Sequence, residues 1–362
     1  MTRNDQPRRV LIVDDSAFMR ASLRHIVGAL PGFTVAGEAK DGREAVEVIR
    51  RDRPDIVTLD IDMPLLDGIG VLRELRPVPG TAPLFIMVSA FTTAGADLTL
   101  TALGCGAIDF VPKASEHFRT DLAQVGDLLR SKLAIAGAVL AGQDGRSRPL
   151  PVAAPRPSRP AAAPPAGVTT AGVPDVVVVA CSTGGPQTLP ELLRPLCPCP
   201  VPVVVAQHIP PVFSRSLAAS LAVSVECPVV EAEDGKPLAA GTVHVLPGGF
   251  NGELVRLRPG VLAVRLTEGG AALHRPNADI LFRSAALTAR RPVGIILTGM
   301  GCDGTEGARA LVQRGCPVLV QDPATAVIWG MPRAAIDAGL ASEVLDPAAI
   351  GRRVALMTGR RE

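Results

Sequence analysis

The sequence predicts an α/β protein of two domains. The first is a five-stranded parallel sheet; the second is mainly parallel and doubly wound, with an antiparallel hairpin. Three observations predict this. Short apolar runs alternate with helical patterns on both sides of a proline-rich segment, which is the rhythm of β–α units. The chain has 362 residues, enough for about two domains. Hydrophobic residues make up 47% and charged residues 20%, so each half can bury a core and a long disordered chain is excluded.

The elements follow in order. Arg9–Val13 reads as a strand, followed by a helix with Met19, Leu23, Ile26, Val27 and Leu30 on one face. Strands at Phe33–Gly37, Asp55–Leu59, Leu84–Val88 and Ala107–Phe110, each beside a helical stretch, complete a first domain over residues 8–134. Residues 138–174 hold eight prolines among Ala, Gly, Arg and Thr. Such a segment cannot sustain a hydrogen-bond ladder and predicts a semi-extended linker. The second domain, residues 175–358, has buried-strand runs at Val176–Ala180, Val203–Ala206, Val293–Leu297 and Val318–Gln321. Residues 255–266, VRLRPGVLAVRL, alternate apolar and charged around Pro259-Gly260, an antiparallel hairpin pattern.

Composition excludes several function classes. Lys and Arg total 37 against 35 Asp and Glu, and the net charges of residues 1–137, 138–174 and 175–362 are −2, +3 and +1. Neither domain carries the basic excess that phosphate neutralisation along DNA requires. Aromatics are 3%, with no Tyr and the single Trp329, which argues against base stacking. No apolar run predicts a membrane span, and the N-terminus does not read as a signal peptide. Seven cysteines, without a regular framework, fit reduced thiols in a cytosol, and the isolated C-x-C of Cys197 and Cys199 is a poor zinc site.

Chemistry in the first domain gathers at strand ends. Asp14 and Asp15 close the first strand, Asp60 the third and Ser89 the fourth, while Lys113 follows the fifth. Ligands of open α/β sheets bind beyond the carboxyl ends of strands. Carboxylates meeting there repel unless a cation neutralises them, and an all-oxygen site suits Mg²⁺. A solvated helix cap explains any one aspartate alone, as it does Asp5, Asp41 and Asp52; four matching strand ends are not explained so. The segments VLIVDDS, LDIDMPLLDG, VSA and DFVPK make residues 8–134 resemble the receiver domains of two-component response regulators. That resemblance implies a flavodoxin-like fold with Asp60 as phosphoacceptor. It also implies Mg²⁺ held by Asp14, Asp15, Asp60 and the backbone carbonyl of Asp62. Ser89 would be the switch hydroxyl, Phe110 the aromatic that changes exposure, Lys113 the paired cation, and a histidine kinase the phosphodonor.

In the second domain, the strand of VVVVACSTGG runs into Ser182-Thr183-Gly184-Gly185-Pro186 and then a helical stretch. The glycines permit a tight turn, and N–H groups at a helix start can hold an oxyanion. The G-x-S-x-G elbow is absent, since Ala180 stands where its first Gly would be. Spacing alone is equally compatible with a phosphate-binding loop, although that reading lacks a following Lys. A serine nucleophile needs a base. His208 ends the strand VPVVVAQ, His274 opens a loop before a helix, and His244 is a strand residue whose role stays open. His25 and His117 read as helix-face or surface residues. Asp303 follows the strand of IILTG in a Gly-rich turn and can orient an imidazole. Three strand-end placements favour a Ser182–His208–Asp303 triad, with Cys181 facing away into the core.

The segments STGGP, QHIPP, HRPNADILF, LTGMGCDG and QDPATAVIWGMP make residues 175–350 resemble the catalytic domain of bacterial chemotaxis protein-glutamate methylesterases. The resemblance implies Ser182 as nucleophile, His208 as base, Asp303 as its orienter, and Thr183 with the Met300 N–H at the oxyanion. It further implies hydrolysis of glutamyl methyl esters on methyl-accepting chemoreceptors, deamidation of specific glutamines, no cofactor for hydrolysis, and a cytoplasmic location. Ala180, Cys181, Val212 and Thr305 depart from that pattern, all beside the chemistry. A non-catalytic adaptor is disfavoured because all three triad residues are present. A transcriptional regulator lacks its basic recognition helix, and a metal hydrolase lacks a ligand cluster in the second domain.

Overall fold

Val10 to Val13 are fully buried, and the strand they form, β1 (Arg8–Val13), is flanked on both sides by parallel neighbours. Each such buried side chain contributes roughly 1.5–3 kcal/mol. The computed structural model describes residues 6–77, 83–89, 92–113, 122–143, 172–269 and 275–359. The chain divides into two units, Met1–Ala154 and Pro155–Glu362.

In the first unit β1 is followed by α1 (Ala17–Gly28), β2 (Phe33–Ala39), α2 (Gly42–Asp52), β3 (Ile56–Asp60) and α3 (Gly68–Leu75). Then come β4 (Leu84–Ser89), α4 (Thr93–Gly104), β5 (Asp109–Pro112) and α5 (Leu122–Gln143). The sheet order is β2-β1-β3-β4-β5, parallel throughout. That is the flavodoxin-like order, in which a crevice opens between the ends of β1 and β3. α1 buries Leu23, Ile26 and Val27, with Leu30 packed beside them, and Ser16 caps its start. Asp41 is a helix cap, its Oδ1 accepting from the Glu44 N–H at 2.9 Å. α5 runs to Gln143, past the linker start read at 138. The reason is local: residues 138–141, Ala-Val-Leu-Ala, hold no helix breaker and the first proline of the segment is Pro149. Residues 144–171 of the linker, with Asp5, His117 and His274, lie outside the described residues.

The second unit opens with β6 (Val176–Cys181), α6 (Gly185–Leu196), β7 (Val203–Gln207), α7 (Pro211–Ser224), β8 (Val229–Glu231) and β9 (Val243–Val245). The hairpin β10 (Asn251–Arg258) and β11 (Val261–Thr267) follows, turning at Pro259-Gly260 as expected. α8 (Ala278–Thr288), β12 (Pro292–Ile296), α9 (Thr305–Gln313), β13 (Val318–Gln321), α10 (Met331–Asp337), β14 (Glu343–Leu345) and α11 (Pro347–Met357) complete it. Seven parallel strands lie in the order β14-β13-β12-β6-β7-β9-β8. The chain fills one side of β6 first and then the other, so the strand order reverses between β6 and β12. Ligand sites of such sheets sit at that reversal.

A disulfide joins Cys197, just after α6, to Cys227, just before β8. The expectation that all the thiols are reduced is corrected at this pair. Its partners are 30 residues apart, so only the packing of α6 beside α7 brings them together. Among the described residues, no helix is long and apolar enough to cross a membrane.

Candidate active site

Gly184, the residue before α6, has φ 83°, a left-handed conformation that side chains rarely adopt. This turn stops β6 sharply and leaves Ser182 at the sheet edge, 8% exposed. Gly304 repeats the device before α9, with φ 89°, and sets Asp303 at the edge beyond β12. β7 ends at Gln207, so His208 is the first residue past the sheet. The three candidate residues therefore converge from three adjacent strands. His208 Nδ1 lies 3.2 Å from Ser182 Oγ, and His208 Nε2 lies 2.7 Å from Asp303 Oδ2.

Asp303 is held on all sides. Its Oδ1 accepts from Asn277 Nδ2 (2.9 Å), the Asp279 N–H (3.1 Å) and the Gly304 N–H (3.0 Å), and its Oδ2 accepts from the Ala278 N–H (2.7 Å). The donors at 278 and 279 are the first N–H groups of α8, a natural seat for a carboxylate. Burial pushes the Asp303 carboxyl up, but the His208 contact and these N–H bonds outweigh it and hold it below the usual carboxylate range. It is thus ionised wherever the imidazole works.

The serine is fixed through its backbone. Its N–H donates to Thr298 O at 2.9 Å, and its carbonyl accepts from the Gly185 N–H at 2.8 Å and from Gln207 Nε2 at 2.9 Å. Thr298 is itself buried, accepting at Oγ1 from the Ile328 N–H, while its own N–H donates to Gln321 Oε1 at 2.7 Å. Gly299 passes so close that a Cβ there would stand 2.8 Å from Ser182 Cβ, and Met300 is the next residue of that loop. The same loop pairs Gly299 with Trp329, a residue 36% exposed whose ring centroid lies 5.9 Å from the Arg333 guanidinium. Thr183 is buried next to Ser182.

Of the remaining candidates, Cys181 is fully buried and burial pushes its thiol far up, so it is inert. His244 is buried in β9 with Nε2 unpartnered. His25 is an exposed residue of α1. Among the described residues, no cluster of metal-ligating side chains occurs in the second unit.

This chain matches the family model described as CheB methylesterase over residues 177–354 and that of the response regulator receiver domain over residues 10–122. A protein-glutamate methylesterase/protein-glutamine glutaminase of a Nocardioides species is 41% identical, covering 96% of this chain and 94% of its own. The chain belongs to the CheB methylesterase family. A relative of the same description from Oleidesulfovibrio alaskensis is 39% identical, covering 93% of this chain and 96% of its own. Among solved structures, the Thermotoga maritima CheB methylesterase catalytic domain is 35% identical, covers 51% of this chain and 100% of its own, and superposes with a TM-score of 0.49.

The receiver site lies at the ends of β1, β3 and β5. Ligand oxygens of Asp14, Asp15 and Asp60 fall within 4.8 Å of one another, with Asp14 and Asp60 buried and Asp15 exposed. Lys113 Nζ donates to Asp60 Oδ2 at 2.6 Å and stands 3.1 Å from Asp14 Oδ2. The second contact is an ion pair only; Asp14 Oδ2 is buried with no hydrogen-bond partner. Burial pushes the Asp60 carboxyl up to about 6, opposed by Lys113 and the Asp62 N–H and reinforced by Asp14. Three clustered carboxylates with an orphaned buried oxygen fit a hard divalent cation. Ser89 Oγ donates to Gly95 O at 3.2 Å, and Phe110 is buried.

Gln207, Asn277, Thr298 and Gln321 are the site residues to which sequence reasoning assigned no role. The only signal was their position inside segments already singled out: QHIPP, HRPNADILF, LTGMGCDG and QDPATAVIWGMP.

Proposed function

We propose that this chain hydrolyses glutamyl methyl esters of methyl-accepting chemoreceptors, deamidates specific receptor glutamines, and is switched on by phosphorylation of Asp60. The hydrogen-bonded chain from Ser182 through His208 to Asp303, at the reversal of the strand order, carries the reading.

His208 Nδ1 takes the proton of Ser182 Oγ as that oxygen attacks the ester carbonyl. The oxyanion is held by Thr183 and the Met300 N–H; one such donor is worth about 3 kcal/mol of barrier. His208 returns the proton to the leaving methoxide and methanol departs. Water, deprotonated by His208, then attacks the acyl-serine and frees glutamate. A glutamine amide follows the same route with ammonia leaving. Asp303 stays ionised and stabilises the imidazolium at each stage. No cofactor enters the hydrolysis.

In the receiver, Asp60 accepts a phosphoryl group from a chemotaxis histidine kinase. Asp14, Asp15, Asp60 and the Asp62 carbonyl would hold Mg²⁺, which supplies positive charge against the transferring phosphoryl oxygens. Lys113, already paired with Asp60, balances the product charge. Ser89 gives up its bond to Gly95 for the phosphoryl oxygen, while Gly95 O keeps its bond from Thr99 Oγ1 at 2.7 Å. Phe110 changes exposure with Ser89. The unphosphorylated receiver restrains the esterase domain, and phosphorylation shifts that equilibrium. The reading places the protein in the cytoplasm, without membrane insertion or nucleic-acid binding.

Methanol release from methylated receptor membranes tests the function. Wild type should release methanol, faster with a small phosphodonor and Mg²⁺, and Ser182→Ala should release none. Substantial activity in Ser182→Ala overturns the assignment.

A further inference from the structure

We propose that Gln207 is a positioning residue of this reaction, its single amide setting the distance between nucleophile and base; the inference rests on the functional reading above. The β6–β7 ladder ends at the pair Cys181 and Gln207, and beyond it the two chains part into the Ser182 turn and the His208 loop. One main-chain bond spans the parting, from the His208 N–H to Cys181 O at 3.0 Å. Gln207 supplies the next tie from its side chain. Its Nε2 donates to Ser182 O and to His208 O, both at 2.9 Å, so one NH₂ group grips the backbone of both residues.

The orientation of the amide follows from its partners. Carbonyl oxygens only accept, so the NH₂ must face them, and a flipped amide would set three oxygens against one another. Oε1 is thereby turned inward, where it is buried without a hydrogen-bond partner. A polar group left unpaired in a side chain only 2% exposed works against the fold. The arrangement is retained because the two bonds on Nε2 serve the site. It also explains Gly185. A Cβ at that position would come within 1.9 Å of Gln207 Oε1, so residue 185 must be glycine for the amide to lie there.

Three variants of the full chain test the inference: Gln207→Met, which keeps length and removes both donors, Gln207→Glu, and Gly185→Ala, which crowds Oε1. Three measurements are made on each, with Ser182→Ala as reference, the last being the urea unfolding midpoint. The first is the nitrogen shift of His208 Nδ1, which reads the contact with Ser182 Oγ without any substrate. The second is kcat and KM for methanol release. We expect the Nδ1 shift of Gln207→Met and Gly185→Ala to move toward the Ser182→Ala value. Their kcat should fall roughly 10- to 100-fold, as about 1 Å of misplacement costs, with KM within about twofold. Gln207→Glu should regain activity relative to wild type as pH is lowered, because a protonated carboxyl restores one donor. A purely structural role predicts a lower unfolding midpoint with the Nδ1 shift and the kcat per folded chain unchanged in all three, and that result overturns the proposal. Absence of methanol release by wild type would sink the functional reading alone, since the nitrogen shifts still decide whether Gln207 sets the contact.

Discussion

His208 presents Nδ1, not Nε2, to Ser182 Oγ at 3.2 Å, while its Nε2 faces Asp303 Oδ2 at 2.7 Å. The ring is thus reversed relative to the serine-protease arrangement, in which Nε2 serves the nucleophile. Because the Asp303 carboxylate only accepts, the neutral imidazole must carry its proton on Nε2, leaving the Nδ1 lone pair for the serine.

Nitrogen NMR of the full chain, at a pH where the ring is neutral, should therefore find His208 as the Nε2–H tautomer. Asp303→Asn, which can donate to the ring, should favour the opposite tautomer and lower kcat by roughly 10⁴-fold. A loss of less than about tenfold would mean that the carboxylate does not set the tautomer.

Asp60 gives the receiver a pH-dependent stability. An acid whose folded-state pKa is raised contributes stability that is full below its unfolded value and lost as pH rises through the folded value. Here the window runs from about 3.9 to about 6. Asp60→Asn cannot ionise, so in Mg²⁺-free urea unfolding wild type should lose ground to it across that window, by on the order of 3 kcal/mol. A difference that stays flat between pH 4 and 7 contradicts the burial effect.

Ser89→Ala should leave basal methanol release unchanged and, if the hydroxyl now on Gly95 turns to the phosphoryl group as proposed, weaken stimulation by a small phosphodonor severalfold. Asp60→Ala should abolish stimulation. The 175–362 fragment, which contains the whole esterase sheet, should be constitutively active. If it is no faster than the unphosphorylated full chain, the receiver is not an inhibitor.

The Cys197–Cys227 bond closes a loop with a sequence separation of 30, worth about 3–4 kcal/mol on the chain-entropy model. Dithiothreitol should lower the unfolding midpoint of the wild type and leave a Cys197→Ser/Cys227→Ser double variant unmoved. Alkylation of both cysteines without prior reduction, read by peptide mapping, would show that the bond does not form.

The sequence makes both sheets legible because parallel strands buried on both faces are written as unbroken apolar runs such as Val176–Ala180. Ser182, His208, Asp303, Asp14, Asp60 and Lys113 stand out in the sequence because strand ends can be counted along the chain. The edge strands β8 and β14 were missed; VVE and EVL are three residues each and too short to show a period. The supports of the site were hidden for another reason. Asn277 and Gln207 act by donating to atoms brought close only by folding, and no spacing in the chain records which nitrogen of His208 meets the serine.

Trp329 stands partly open on the loop that pairs with Gly299, and the chain has no tyrosine and no other tryptophan. Ultraviolet emission excited at long wavelength therefore originates from a single indole, on the β-bridge partner of Gly299, which itself packs against Ser182. The enzyme carries an optical probe of its own, and any event that reaches this loop can be followed in real time without attaching a dye.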